Sequence, residues 1–223
     1  MNTEIKNAIQ AADSEAQYDE SAKRLLAQKY VLAHILVRTV EEFQGMEIEK
    51  VVSLIEGDPY ISKVPVASGL TNNDRNMEGK RFVGLNTEAG EKNEGLVRFD
   101  IIFYVRMRNG LAQMIINVEA QKDEPGSYQI LNRAIFYVSR LISSQKERDF
   151  VKSNYNDIKT VYSIWVCMNM PENSMCHIYL TKEDLLGKHN WKGNLNLVNI
   201  VMIGLTNALP ESHNEYGLHR LLC

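Results

Sequence analysis

The sequence of residues 98–121, RFDIIFYVRMRNGLAQMIINVEAQ, decides the fold predicted for this chain. Near its centre stands Asn109-Gly110, a dipeptide typical of two-residue β-hairpin turns, because both central residues of a type I′ turn need a positive φ. With these two residues as the loop, Asp100 faces Glu119 across the ladder, and the two side chains begin about 5 Å apart. The stretch therefore predicts one long antiparallel hairpin that brings two carboxylates together.

Alternation along the strands divides this hairpin into two faces. One face is wholly apolar and is predicted to lie in the core; it consists of Phe99, Ile101, Phe103, Val105, Met107, Ala112, Met114, Ile116, Val118 and Ala120. The other face carries Asp100 and Glu119 at the end far from the turn. Because like charges directly opposite each other destabilise a strand pair, we expect a cation between them.

Two kinds of cation would satisfy these carboxylates. Mg²⁺ is commonly held by one or two carboxylates and keeps several waters that a phosphate can displace. Alternatively, Arg98, which is diagonal to Glu119 in the predicted register, forms an ordinary surface salt bridge with them. The residues alone leave both interpretations open.

The order Asp100, then Glu119-Ala120-Gln121, then a helix, resembles the PD-(D/E)XK nuclease superfamily in its Glu-x-Gln form. The longer run at residues 115–123, IINVEAQKD, is similar to the bacterial PD-(D/E)XK family transposases, also called recombination-promoting nucleases. The likeness extends from about Tyr18 to the C-terminus. Beyond the motif it includes Tyr128, Arg133, Tyr137 and Arg140.

This resemblance implies an α/β fold with a restriction-endonuclease-like core, a mixed sheet with the antiparallel hairpin at its centre and helices on its flanks. It also implies that Asp100, Glu119 and the carbonyl of Ala120 bind Mg²⁺ or Mn²⁺, and that the substrate is double-stranded DNA. The family most often has Lys where this chain has Gln121. Glutamine can orient an attacking water by hydrogen bonds but carries no charge, so the departure concerns the cleavage rate more than the metal.

Two further residues are candidates for a third metal carboxylate. In many members of the superfamily a Glu on the first helix joins the metal site, and Glu42, at the end of the helix predicted for residues 19–43, matches that position. The alternative for Glu42 is a solvated helix end. Glu88, in the loop that leads towards the hairpin, is the second candidate.

A helix is predicted from Ser127, which suits the N-cap position, to about Gln145. Its buried stripe is predicted to consist of Leu131, Ala134, Ile135, Val138, Leu141 and Ile142. A second stripe contains Arg133, Tyr137 and Arg140. Beside a metal site such residues position phosphates, whereas elsewhere they shield a core edge with their long stems. The resemblance favours the DNA-binding role.

The rest of the chain is predicted to add elements to one domain. These are helices at 19–43 and 47–56, a strand at 81–87, a fully buried strand at 159–169 with a hairpin partner at 175–180, and a strand at 195–205. Residues 1–18 lack an apolar period and are expected to form a frayed lead, which leaves 19–223 as a single nuclease-like domain. The apolar helical pattern at 218–223 stops after two turns, and the resemblance implies that more helix follows in relatives, as if this chain were truncated.

Composition limits the classes of protein that fit. The chain has 223 residues, 44% of them hydrophobic and 24% charged, which suits one globular core. Its net charge of −3 argues against a protein that coats nucleic acid, although not against an enzyme with a local basic groove. Neither a membrane span nor a secretory leader is indicated, so a cytoplasmic location is expected. The cysteines, Cys167, Cys176 and Cys223, match no zinc-site spacing and are expected to be reduced.

Three function classes therefore follow from the sequence. The first is a Mg²⁺- or Mn²⁺-dependent DNA endonuclease linked to transposition or recombination, acting alone or as a homodimer. The second is a DNA-binding or protein-interaction module of the same fold without useful cleavage. The third is a structural α/β protein in which Asp100 and Glu119 only form salt bridges.

Overall fold

A computed structural model describes residues 21–61, 88–89, 97–98, 101–108, 110–119, 129–146, 154–210 and 217–222. At 88–89, 97–98, 110–111 and 113–119 the structure describes only the backbone. The helices are α1 (residues 21–26), α2 (Lys29–Thr39), α3 (Ile48–Leu54), α4 (Ile130–Ser143) and α5 (Gly217–Leu222). Short 3₁₀ turns cover Glu41–Phe43, Tyr155–Asp157 and Leu195–Leu197.

The prediction of one continuous helix over residues 19–43 is wrong, because the described residues 21–43 form two helices with a break between them. Gln28 has an extended backbone, with φ −66° and ψ 127°, and separates α1 from α2. The break also changes which leucine is buried, because Leu25 is 54% exposed whereas Leu26 is 5% exposed. Gly45 follows the last helical turn and has a φ of 77°, a conformation that suits glycine after a helix end.

Within the described residues, eight strands form two sheets. They are β1 (Ile55–Ile61), β2 (Glu88–Ala89), β3 (Val97–Arg98), β4 (Ile101–Met107), β5 (Gly110–Glu119), β6 (Val161–Cys167), β7 (Ser174–Tyr179) and β8 (Val198–Gly204). The larger sheet has the order β1-β4-β5-β6-β8-β7, and β2 pairs with β3 in a separate ribbon. Strands β5, β6 and β8 are parallel neighbours, whereas the other pairs of the large sheet are antiparallel. The fold is therefore mixed α/β, as predicted, with α4 connecting the parallel strands β5 and β6.

The hairpin forms in the predicted segment, but its predicted register is wrong. Met107 pairs with Gly110 and Ile101 pairs with Ile116. Gly110 is thus a strand residue, not the second residue of the loop, and the ladder is offset by two residues from the prediction. An offset of two keeps every side chain on its predicted face, because alternation has a period of two.

The described residues of the hairpin's apolar face lie, as predicted, in the larger of the two cores of the described chain. Ile101, Phe103 and Val105 are fully buried there, and Ala112 is 1% exposed. This core contains residues of α2, α3 and α5. The opposite face is not simply polar, because Ile102 is also fully buried, in a second core beneath α4. The sheet therefore lies between two helical layers.

All seven residues of β6 are buried, which confirms the prediction of a strand covered on both faces. Its predicted hairpin partner is wrong, since β7 pairs with β8. The reason lies in the exposure of β7, where five of six residues are exposed and only Ile178 is intermediate. Such a strand belongs at a sheet edge, and the parallel strand β8 takes the buried position next to β6.

Candidate functional site

The predicted metal site lies at the carboxyl end of β5. Glu119 is the last residue of β5, and its backbone pairs with that of Cys167 in β6. Asp100, Ala120 and Gln121 lie outside the described residues, so their proximity to Glu119 stays a prediction. Glu88 is described only as part of β2, where its backbone pairs with Arg98.

The described register does not reach Asp100. Its last described pair at this end joins Ile101 with Ile116, and the ladder is offset by two residues from the prediction. Asp100 lies outside the described residues, so its direct opposition to Glu119 stays a prediction. An offset of two residues keeps the side chains of a strand on their predicted faces.

Helix α4 holds an arginine in a fixed position near this end of the sheet. Nε and Nη2 of Arg133 donate to the Tyr137 hydroxyl at 3.2 and 3.1 Å. The guanidinium also lies 5.1 Å from the centre of the Tyr137 ring and 5.5 Å from that of Trp165. The two rings pack against each other with their centres 5.4 Å apart. Cation–π contacts and charged hydrogen bonds thus orient Arg133.

The strand pairing relates this cluster to Glu119. Trp165 is the β6 partner of Asn117, two residues before Glu119 on β5. Two residues of strand cover about 7 Å. The arginine cluster therefore lies beside the carboxyl end of β5.

The other two predicted DNA-binding residues have little exposed surface. Tyr137 is 9% exposed and Arg140 is 7% exposed, and both belong to the side of α4 that faces the sheet. In this arrangement Arg133 is the member of the trio with a partly exposed side chain. Their burial fits the alternative role considered from sequence, in which such side chains shield a core edge, and the DNA-binding role of Tyr137 and Arg140 stays a prediction.

Helix α4 is rotated relative to its predicted buried stripe. Ala134, Val138 and Leu141 are buried as predicted, but Leu131 is 42% and Ile135 46% exposed. The rotation brings the Tyr137 ring onto Trp165. Hydrophobic spacing missed this because it treats Tyr137 as polar, while the ring buries against an aromatic partner on a strand distant in sequence.

Glu42 cannot complete a metal site at Glu119. Its Oε1 accepts a 2.7 Å hydrogen bond from the backbone N of Arg108, next to the hairpin turn. Strand β5 has ten residues, so the turn and Glu119 are about 30 Å apart. The prediction of Glu42 as third ligand is wrong, because the β4–β5 turn folds against the 3₁₀ turn at the end of the first helical region.

In the described part of the chain, which does not include Asp100, the His, Cys, Asp and Glu side chains do not form any group of three or more suited to a metal ion. None of the helices in this part has the length and apolar character needed to cross a membrane. Comparisons of the chain with protein-family models, curated proteins and solved structures found no match.

Proposed function

We propose that this protein is a Mg²⁺- or Mn²⁺-dependent DNA endonuclease with a restriction-endonuclease-like core, and that it hydrolyses phosphodiester bonds at the carboxyl end of β5. The observation that carries the proposal is the oriented Arg133, fixed by Tyr137 and Trp165 about two strand residues from the position of Glu119. A hairpin followed by α4 and a parallel strand is the element order that the resemblance implies.

The residues proposed for the site suit a hard divalent ion. Carboxylate oxygens of Asp100 and Glu119 and the carbonyl of Ala120 are the donors that Mg²⁺ prefers. A bound ion would lower the pKa of a coordinated water and offset phosphate charge in the transition state. Gln121 would orient the attacking water through its amide. Arg133 would hold a non-bridging phosphate oxygen in the field of its guanidinium.

Plasmid nicking in Mn²⁺ tests this proposal, with Asp100→Asn as the variant. The substitution keeps the shape of the side chain but removes its charge, and several kcal/mol of transition-state stabilisation depend on the ion that it would help to hold. We expect nicking to fall on the order of 100-fold or more. In parallel, Mn²⁺ at about ten times Kd should stabilise the wild type by about 1.4 kcal/mol, and Glu119→Ala should abolish that shift.

Three outcomes would contradict the endonuclease. Equal nicking by wild type and Asp100→Asn would identify a contaminating nuclease. A wild-type melting temperature that neither Mg²⁺ nor Mn²⁺ changes would favour the salt-bridge interpretation. DNA binding without nicking in either ion would favour the second function, a module that binds without cleaving.

That second function is favoured by one specific observation, the glutamine at position 121. A lysine there could stabilise developing charge, and glutamine cannot. Gln121→Lys distinguishes the two functions. In a weak nuclease it should raise nicking while the Mn²⁺-dependent thermal shift stays, whereas in a non-cleaving module it should leave both nicking and the thermal shift unchanged.

A further inference from the structure

A cleft of about 1180 Å³ opens at the end of the sheet opposite to Glu119. Its walls come from the 3₁₀ turn Glu41–Phe43, the start of the β4–β5 turn and the neighbouring ends of β6, β8 and β7. The proposed metal site lies about 30 Å away along β5. This cleft therefore belongs to a different part of the molecule.

One wall of the cleft is a row of aromatic rings. The rings of Tyr162 and His177 are stacked, with their centres 6.4 Å apart and their planes 21° from parallel. His177 and Tyr179 follow with centres 5.1 Å apart and planes at 41°. Tyr179, at the outer end, is 58% exposed. The outer ring, that of Tyr179, is therefore the one whose exposed surface can stack on another aromatic ring.

The histidine in this row is held in a defined orientation. Asn199 is fully buried, and its Nδ2 donates to the carbonyl of Asn196 at 3.2 Å. Its Oδ1 must then accept from Nε2 of His177, at 2.9 Å. In the neutral ring this leaves Nδ1 of His177 as a hydrogen-bond acceptor. A buried amide thus fixes the tautomer of a side chain that lines the cleft.

The charged residues of the cleft cancel. Arg38 and Arg108 carry positive charge, and Glu41 and Glu42 carry negative charge. A simple cation would be repelled by the two guanidinium groups, and a simple anion would be repelled by the two carboxylates. A neutral ligand with both donors and acceptors can use both kinds of group at once.

We propose that this cleft binds a flat, neutral heteroaromatic ring that carries both N–H donors and ring acceptors, with a nucleobase as the matching chemistry. The ring would stack on Tyr179. Its N–H groups would donate to the carboxylates, and its acceptors would receive the arginine N–H groups. The proposal stands apart from the endonuclease, because it needs neither Asp100 nor a metal ion.

Calorimetric titration of the full chain with adenosine, in the absence of divalent ions, tests the proposal. Wild type should bind adenosine saturably and should not bind ribose, which lacks the base. Tyr179→Ala should weaken the affinity for adenosine on the order of tenfold, because a stacking partner is removed. Tyr179→Phe should bind like the wild type, since the ring is retained.

Tyr155→Ala is the matched control, because Tyr155 is 59% exposed and lies outside the cleft. It should leave adenosine affinity unchanged, and a circular dichroism spectrum for each variant checks the fold. Adenosine that fails to bind at millimolar concentration, or that binds Tyr179→Ala as tightly as wild type, would overturn the proposal. Spermidine or phosphate binding in its place would assign the cleft to an ion instead.

The source of the base is then decided with a single-stranded oligodeoxyadenylate of eight nucleotides. Binding tighter than that of adenosine, and again weakened by Tyr179→Ala, assigns an unpaired base in a nucleic-acid strand. Binding no tighter than that of adenosine assigns a free nucleoside. Asp100→Asn should bind adenosine as the wild type does, so failure of the endonuclease and failure of this cleft can be told apart.

Discussion

Tyr162 is a buried tyrosine whose ionisation is opposed by its surroundings. Burial raises the pKa of its hydroxyl above 10.0, and the carboxylates of Glu42 and Glu41 raise this pKa further, while a hydrogen bond with Asn196 lowers it. The unfolded chain lacks these effects and releases the proton near the ordinary tyrosine pKa. The native state therefore holds this proton at pH values where the unfolded state has lost it.

Tyr162→Phe should make stability less sensitive to alkaline pH. For a pKa raised in the folded state, the stabilising contribution is present below the unfolded pKa of about 10 and is lost as pH rises through the folded pKa. At pH 8 the variant should be less stable by about 1 kcal/mol, because the Asn196 hydrogen bond is missing. Above pH 10 the difference in free energy of unfolding between wild type and variant should narrow, because only the wild type loses this stabilising contribution there. Urea denaturation from pH 8 to pH 11 measures it, and a constant difference would contradict the prediction.

Local chemistry predicts the faces of single residues well but not their distant partners. The alternation of residues along the strand correctly predicts that Ile101, Phe103 and Val105 are buried. Every second residue of a strand lies on the same face, so a local period of two is enough for this prediction. Glu42 is a candidate metal ligand from sequence, yet the group it contacts is the backbone of Arg108, 66 residues away in sequence. No local pattern encodes such a contact.

At the scale of elements, a buried glutamine fixes the end of α4 to the start of β6. Gln145 is fully buried, and its Nε2 donates to the carbonyl of Lys159 at 3.0 Å. Its Oε1 accepts from the backbone N of the same residue at 2.8 Å. This amide pair replaces the strand hydrogen bonds that Lys159 would otherwise need, just before β6 begins.

Gln145→Ala should lower the free energy of unfolding by about 2–3 kcal/mol, because both backbone groups of Lys159 lose this partner. Gln129→Ala, at the other end of the same helix and exposed, should change it by no more than about 0.5 kcal/mol. Chemical denaturation of the two variants provides the comparison. Equal effects would show that the amide pair contributes nothing beyond helix propensity.

The elements themselves were predicted more reliably than their pairing. The sequence indicates the hairpin, the helix before β6 and the buried strand β6, each from a local period. The hairpin register was offset by two residues because Asn109-Gly110 permits more than one placement of the turn. The partner of β7 was misassigned because chain order favours neighbours, while burial places β8 next to β6.

At the scale of the molecule, the large sheet combines a protected centre with exposed edges. Strand β6 is buried throughout and lies between β5 and β8. Strand β7 is an edge strand in the described part of the chain, and its sequence SMCHIY contains no lysine, proline or acidic residue. Natural edge strands commonly carry such residues to discourage pairing with another chain. The same strand therefore bears on the homodimer considered from sequence.

Native-state hydrogen exchange should separate these strands. Amides of β6 should exchange only through global unfolding, whereas those of β7 should open locally, with protection lower on the order of 100-fold or more. Strand β1, the other edge of the described sheet, is the matched control and should resemble β7. Mass spectrometry of peptides at a low protein concentration measures all three. If β7 is protected as strongly as β6 while β1 is not, another segment covers that edge. Protection of β7 that rises with protein concentration would then identify a second copy of the chain, because pairing between molecules alone depends on concentration.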